Sequence, residues 1–302
     1  MPDPITIFRG SSGLNVKIDP ARLTFDPGTG IDDLAVAVNV DHDRTGRVGR
    51  RKGFAATAIT TACHSLWCDG GEALYVAGST LCRLSPSYTS QTLASVTSGA
   101  RMSYFQLDTR AFWMNGYEKG YIEAGVNNAW VKGAYVGPDT TRQLSDPPVG
   151  HLIAYEHGRA WVAQGAVVWY SPAYTLNAFD LARDFLPFES RLTMLGPVKG
   201  GVFFSTDQSI YFGAGADPRA MELLQVANYP AIEGTMAKVD MKKFGDGSQG
   251  GVGLIWTSTE GVCIGTPGGE FINLTSKNLV YPKALRGAGI CFDGRYVSTL
   301  EP

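Results

Sequence analysis

Charge is scarce in this sequence. Asp, Glu, Lys and Arg make up 18% of its 302 residues, and the formal net charge is −2. So nearly neutral a chain has no bulk field to draw it to nucleic acid or to a membrane surface. Long apolar runs are also missing, and no stretch approaches the ~18 apolar residues that cross a bilayer as a helix. The opening MPDPITIFRG has neither the basic nor the apolar region of a secretory signal, so none is expected. Helix-period patterns are short, and the best of them is residues 177–186. Cysteine is limited to Cys63, Cys68, Cys82, Cys263 and Cys291, an odd number mostly set in apolar runs. They are expected to be small buried hydrophobes in a reducing compartment rather than disulfides or metal ligands. The histidines are His42, His64, His151 and His157; none forms HExxH or pairs with a cysteine at zinc spacing. G-x-S-x-G and G-x-x-x-x-G-K-[ST] are absent too, which removes the signals for an elbow nucleophile and a phosphate loop. The expectation is no catalytic residue, no cofactor and no metal.

What is present is glycine, 37 residues of it, and aromatic content of 11%. Both suit strands joined by tight turns. The stretch GVFFSTDQSIYFG, residues 201–213, shows the pattern: an apolar run, a polar turn and a second apolar run closed by glycine. Two such runs around turn residues predict a hairpin. Related hairpins start at Ala73, Ala111, Ala160, Val202 and Leu254, with a shorter one at Tyr296. A period of roughly 40–50 residues belongs to β-propeller blades rather than helical solenoids.

Blade-like segments of short runs span residues 64–96, 101–135, 151–188, 191–226 and 235–274. The last segment, 287–300, holds only two runs, while LNVKID and AVNVD near the start predict strands with no blade of their own. Closing a ring removes exposed sheet edges. The expected fold is therefore all-β, a six-bladed β-propeller whose N-terminal strands complete the last blade. Residues 1–54 would be the arm and closing strands, and residues 55–302 the propeller.

The order of segments carries a resemblance. AVNVDHDRTGRVGRRKGF comes first, then the hairpins, then AWVAQGAVVWYSPAYTLNAFDLARDF. RLTMLGPVKGGVFFSTDQSIYFGAGADP, VANYPAIEGT and WTSTEGVCIGTPGGEFINLT follow. This pattern resembles the tail nozzle or packaged-DNA stabilisation proteins of tailed bacteriophages, over most of the chain, although the larger nozzle proteins are longer. The resemblance implies a virion structural protein made in the host cytoplasm. It would form a homo-oligomeric ring, expected as a hexamer, at the tail or neck. That ring would guide or seal packaged DNA and dock other tail or neck proteins, with no membrane partner. The rival readings are a propeller module that binds a host-surface glycan or peptide at the distal tail, and a propeller hydrolase.

Individual residues add little chemistry. Arg44, Arg47, Arg50, Arg51 and Lys52 concentrate positive charge on one expected hairpin, a candidate contact for a neighbouring subunit or for DNA phosphates, or a solvated surface. Asp41, Asp43, Thr45 and Gly46 match the first half of a calcium loop, but Lys52 stands where its terminal Glu belongs, so a hairpin turn is expected. Paired carboxylates of glycosidase type would have to come from Asp69, Glu72, Asp108 or Glu123, which turns and ordinary strands explain. Trp67, Trp113, Trp161, Trp169, Phe203 and Trp256 are expected between stacked sheets. Residues 244–253, FGDGSQGGVG, read as a flexible loop.

Overall fold

A computed structural model describes residues 11–23, 32–43, 45–53, 55, 59, 61–69, 71–135, 139, 141–243, 250–292 and 294–301. The arm comes first. β1 (Ser11–Leu14) pairs in parallel with β2 (Asp32–Leu34), and β3 (Val40–His42) pairs antiparallel with β4 (Val48–Arg50).

Five four-stranded antiparallel sheets follow, each a meander of consecutive strands. The first blade is β5 (Cys63–Asp69), β6 (Glu72–Ala77), β7 (Thr80–Leu84) and β8 (Ser90–Ser95). The second is β9 (Ser103–Leu107), β10 (Arg110–Met114), β11 (Lys119–Glu123) and β12 (Val126–Asn128). The third is β13 (Leu152–Glu156), β14 (Arg159–Gln164), β15 (Val167–Tyr170) and β16 (Phe185–Pro187). The fourth is β17 (Leu192–Val198), β18 (Gly201–Thr206), β19 (Ile210–Ala214) and β20 (Glu222–Ala227). The fifth is β21 (Ala237–Asp240), β22 (Val252–Ser258), β23 (Gly261–Gly265) and β24 (Phe271–Asn273). A sixth unit has two strands, β25 (Arg286–Phe292) and β26 (Arg295–Glu301). No α-helix occurs among the described residues.

The hairpin at 201–213 shows why the sequence takes this form. Every residue of β18 is buried, because both faces of its sheet are covered. Phe203 faces the fifth blade and Phe204 the third, so the strand reads as a continuous apolar run and not an alternating one. Thr206 makes the turn: its Oγ1 accepts from the backbone N–H of Gln208 at 3.2 Å and of Ser209 at 3.1 Å.

Five apolar clusters join successive sheets. Trp113 and Leu74 sit between the first and second blades, and Phe112, Trp130 and Val162 between the second and third. Trp161 and Phe204 fill the next seam, Phe203 and Trp256 the one after, and Ile255, Ile264, Cys291 and Tyr296 the fifth. The first strand of each blade lies innermost. A cavity of about 440 Å³ is lined from β5, β9, β13, β17, β25 and β26 and by Met236 beside β21. Radial sheets stacked face to face around such an axis make the chain a β-propeller.

The arm departs from expectation. Among the described residues, β1 to β4 pair only with one another and add no strand to β25–β26. They meet the end of the ring by other means: the Val16 N–H donates to Asn278 O at 2.8 Å in the connection leading to β25, and Asp41 pairs with Arg295 of the last unit at 3.2 Å. LNVKID is not a strand beyond Leu14, and the alternation through Val36 and Val38 forms none, both valines being exposed. Backbone caps outrank local pattern here, as in the Asn15 side chain, which accepts from the Lys17 N–H at 3.2 Å. Residues 177–186 are turns leading into β16 rather than a helix. Cys82 and Cys263 are buried as expected, but Cys63 and Cys68 are exposed; β5 borders a seam with no core, so its outward positions stay open. All five cysteines are free.

Candidate functional site

Each innermost strand begins at the same end of the axis, so the residues just before these strands converge. His151 precedes β13, Arg191 precedes β17, Arg101 lies two residues before β9, Glu233 leads toward β21, and Arg286 opens β25. Together with the turn at Asn115–Tyr117 and the end of β14, they line a mouth of about 490 Å³. Arg101, His151 and Glu233 also line the axial cavity, so they form the partition between the two spaces.

The partition is tied by saturated bonds. Arg191 forks onto Glu233, Nη1 to Oε2 at 2.7 Å and Nη2 to Oε1 at 3.0 Å. Arg101 donates from Nη1 to the Glu233 carbonyl at 2.9 Å and from Nη2 to the Gly287 carbonyl, spanning from the second blade to the fifth and sixth units. Gly234 makes this approach possible: its φ is +87°, and a Cβ there would run into the Arg101 guanidinium and Gly287 O. His151 Nε2 lies 2.8 Å from Leu192 O, a distance that places the ring proton on Nε2.

Charge and burial oppose each other at Glu233. Burial alone would raise its pKa, but the Arg191 hydrogen bonds, helped by the charges of Arg191, His151 and Arg101, hold the carboxyl below its ordinary range. His151 is held below its ordinary value, first by burial and then by Arg191, against the Leu192 carbonyl and Glu233. Burial, followed by Arg286, also lowers Arg101. The result is a neutral imidazole among three guanidiniums and one carboxylate.

The basic hairpin lies apart from this mouth. Arg47, Arg50, Arg51 and Lys52 are exposed on β4 or just before or after it, and Arg44 lies outside the described residues. Asp43 builds the turn, its Oδ1 accepting from Thr45 N at 2.8 Å, Thr45 Oγ1 at 2.6 Å and Arg47 N at 3.0 Å. The Thr45 hydroxyl is the main cause of its lowered pKa. With Asp41 paired to Arg295, the half-match to a calcium loop resolves into hairpin chemistry. Of the residues 244–253, only the last four are described.

Three of the four sequence carboxylates are engaged separately. Glu72 takes a fork from Arg83 with both bonds at 2.7 Å, Glu123 pairs with Arg110 at 3.0 Å, and Asp69 with Lys238 at 3.6 Å. Sequence reasoning missed a more buried pair, Asp180 and Asp184. Arg142 and Arg219 reach Asp184 at 2.9 and 2.8 Å, and Arg142 and Arg183 lie 4.0 Å from Asp180. Guanidiniums on every side make this a strut for the long β15–β16 connection. Of the aromatic residues, Trp113, Trp161, Phe203 and Trp256 are buried, while Trp67 and Trp169 are partly so.

The sequence matches no protein-family model and no curated protein. Among solved structures, the chain is similar to virginiamycin B lyase from Staphylococcus aureus, with 10% identity over 76% of this chain and 73% of that one, at a TM-score of 0.45. A streptogramin B lyase gives 13% identity over 82% and 85%, also at 0.45. BBS1N in its complex with ARL6DN gives 13% over 64% of this chain at 0.41, and the chain spans 59% of the BBS1N chain. It spans 29% of the PorZ chain of Porphyromonas gingivalis, at a TM-score of 0.44. These similarities assign neither an activity nor a partner. Among the described residues, no helix is long and apolar enough to cross a membrane.

Proposed function

We propose that the chain is a structural protein of a tailed-phage virion that assembles with copies of itself into a ring. The observation that supports it is the seam between the sixth unit and the first blade. Five seams have apolar cores, and among the described residues this one has none. Both of its sides are nonetheless apolar: Leu66 on β5 and Ile290 and Val297 on the hairpin, which also line the axial cavity, and Phe292 beside them are all more than half exposed. Covering what remains exposed of each such side chain is worth about 1–2 kcal/mol, a drive for association when summed over the patch. A second copy is the occupant because a heterologous contact repeated about an axis closes a ring, as the sequence resemblance implies. The cations of the arm border the same unit through Asp41 and Arg295, and would meet a neighbour's carboxylates as the ring closes. Any path for DNA would run between copies, because Arg101 bridges the propeller's own axis.

The test is the mass of the purified protein by light scattering. The wild type is expected to form a closed oligomer. Ile290→Glu with Phe292→Glu is expected to give a monomer with an unchanged fold, since exposed changes stay within about 0.5 kcal/mol. A wild type that stays monomeric at tens of micromolar would overturn the reading.

A second expected result concerns the arm. Arg50→Glu with Lys52→Glu, both exposed, is expected to stop assembly while leaving the circular dichroism spectrum and melting temperature unchanged. If those cations face DNA instead, rings will form, and particles will lose genome with a steep dependence on salt. The alternative of a distal recognition module is favoured by one observation, the exposed Tyr117 beside Arg286 at the axial mouth.

A further inference from the structure

The lining of the axial mouth divides into two classes. Its floor is internally satisfied: Arg191 is forked on Glu233, Arg101 is held by two carbonyls, and His151 by a third. Asn115 is satisfied as well, its Oδ1 accepting from Tyr117 N at 2.9 Å and Glu118 N at 2.7 Å. Its wall is not. Among the described residues, the side chains of Ser98, Tyr117, Gln164 and Arg286 make no hydrogen bond or ion pair. Arg286 stands opposite Glu301 in the β25–β26 ladder, yet the two form no ion pair.

We infer that this mouth binds an acidic monosaccharide unit, a sugar ring bearing one carboxylate. The volume of about 490 Å³ suits a small ligand. Arg286 offers a planar fork that matches a carboxylate, and the single acid of the lining, Glu233, is already taken by Arg191. Tyr117, 69% exposed, is presented by a turn that the Asn115 side chain fixes. Its ring supplies an apolar face for the C–H side of a sugar. The Gln164 amide and Ser98 hydroxyl supply donors and acceptors for ring hydroxyls. A bare anion would use the guanidinium and leave the aromatic and the amide idle. The satisfied floor costs no reorganisation when the ligand arrives.

The site does not depend on the assembly reading, and a monomer would bind equally. The experiment is calorimetric titration of the intact protein at low salt with glucuronate, glucose, acetate and inorganic phosphate. Glucuronate is expected to bind, with glucose, acetate and phosphate each about tenfold weaker or worse. Arg286→Ala and Tyr117→Ala are each expected to weaken glucuronate about tenfold without moving the melting temperature. Arg286→Lys keeps the charge but loses the fork, and should fall between. The Ile290→Glu, Phe292→Glu protein should bind as the wild type does, which separates this result from the fate of the ring. Absence of glucuronate binding, acetate or phosphate binding as tightly, or an Arg286→Ala protein with unchanged affinity would each overturn the assignment.

Discussion

Truncating Trp256 to alanine is expected to destabilise the protein by about 3–5 kcal/mol, the range for removing a buried aromatic from a core that cannot collapse. Trp256 is fully buried on β22. Its ring lies 5.6 Å from Phe203 of the fourth blade and 5.9 Å from Phe271 of its own. It therefore joins two sheets, and its loss opens a gap that neither rigid sheet can close. The approach is tight nearby: a Cβ at Gly265 would lie 2.5 Å from the Phe203 ring. Among the described residues, the indole N–H has no hydrogen-bond partner. Trp256→Phe is accordingly expected to cost less than half as much, because it removes an unsatisfied donor together with some volume. Urea unfolding checks both values, through the midpoint at constant m. A loss under about 1 kcal/mol for the alanine variant would mean that the seam relaxes as a fluid core does, contrary to dense packing.

The blades were legible because their constraint is local. A strand covered on both faces needs a continuous apolar run, and a tight turn needs Gly, Asp or Ser, so VFFSTDQSIYF announces β18 and β19 directly. The observed blades fall at residues 63–95, 103–128, 152–187, 192–227 and 237–273, close to the segments read from pattern. The arm was less legible. Val36 and Val38 alternate as a strand should, but alternation reports a face to be covered and does not supply the cover. The axial mouth was not legible at all. Arg101, His151, Arg191, Glu233 and Arg286 are scattered over some 185 positions, and only the ring brings them together. One signal did exist: most of them stand just before the first run of a blade, and those first runs share the axis. The basic hairpin shows the converse. Arg47, Arg50, Arg51 and Lys52 draw the eye by density, while the chain's own ion pairs bring Asp41 of that hairpin, and none of these four, to Arg295.

Replacing Glu233 by glutamine is expected to lower stability at neutral pH by about 1–3 kcal/mol, less than for a fully buried pair because Arg191 is half exposed. Among the described residues, the charge removed is the only acid lining the mouth beside the guanidiniums of Arg101, Arg191 and Arg286. Its loss leaves Arg191 without its fork and Arg101 beside an uncompensated Arg286. The dependence on pH is the sharper test. The folded protein holds the Glu233 carboxyl below its ordinary value, so the unfolded chain takes up the proton first as the medium is acidified. The stability that Glu233 contributes is therefore complete above about pH 4.3 and is lost as pH falls from there through the folded value. His151 acts in a higher window. Burial, then Arg191, lowers its folded pKa, so the unfolded chain protonates first below about pH 6.5 and stability declines there too. Glu233 works to raise the His151 pKa, so removing its charge deepens the decline in the upper window while abolishing the Glu233 contribution to the lower one. Melting temperatures of the wild type and the Glu233→Gln protein, taken from about pH 3.5 to 8, should thus draw further apart as pH falls through the His151 window and converge only below about pH 4.3. Glu123→Gln provides the control, since its bond to Arg110 is exposed and worth about 0.5 kcal/mol or less. Parallel curves for Glu233→Gln and the wild type across that range would show that the Arg191 fork carries no linked stability, and that the floor of the mouth is held by the Arg101 bridge alone.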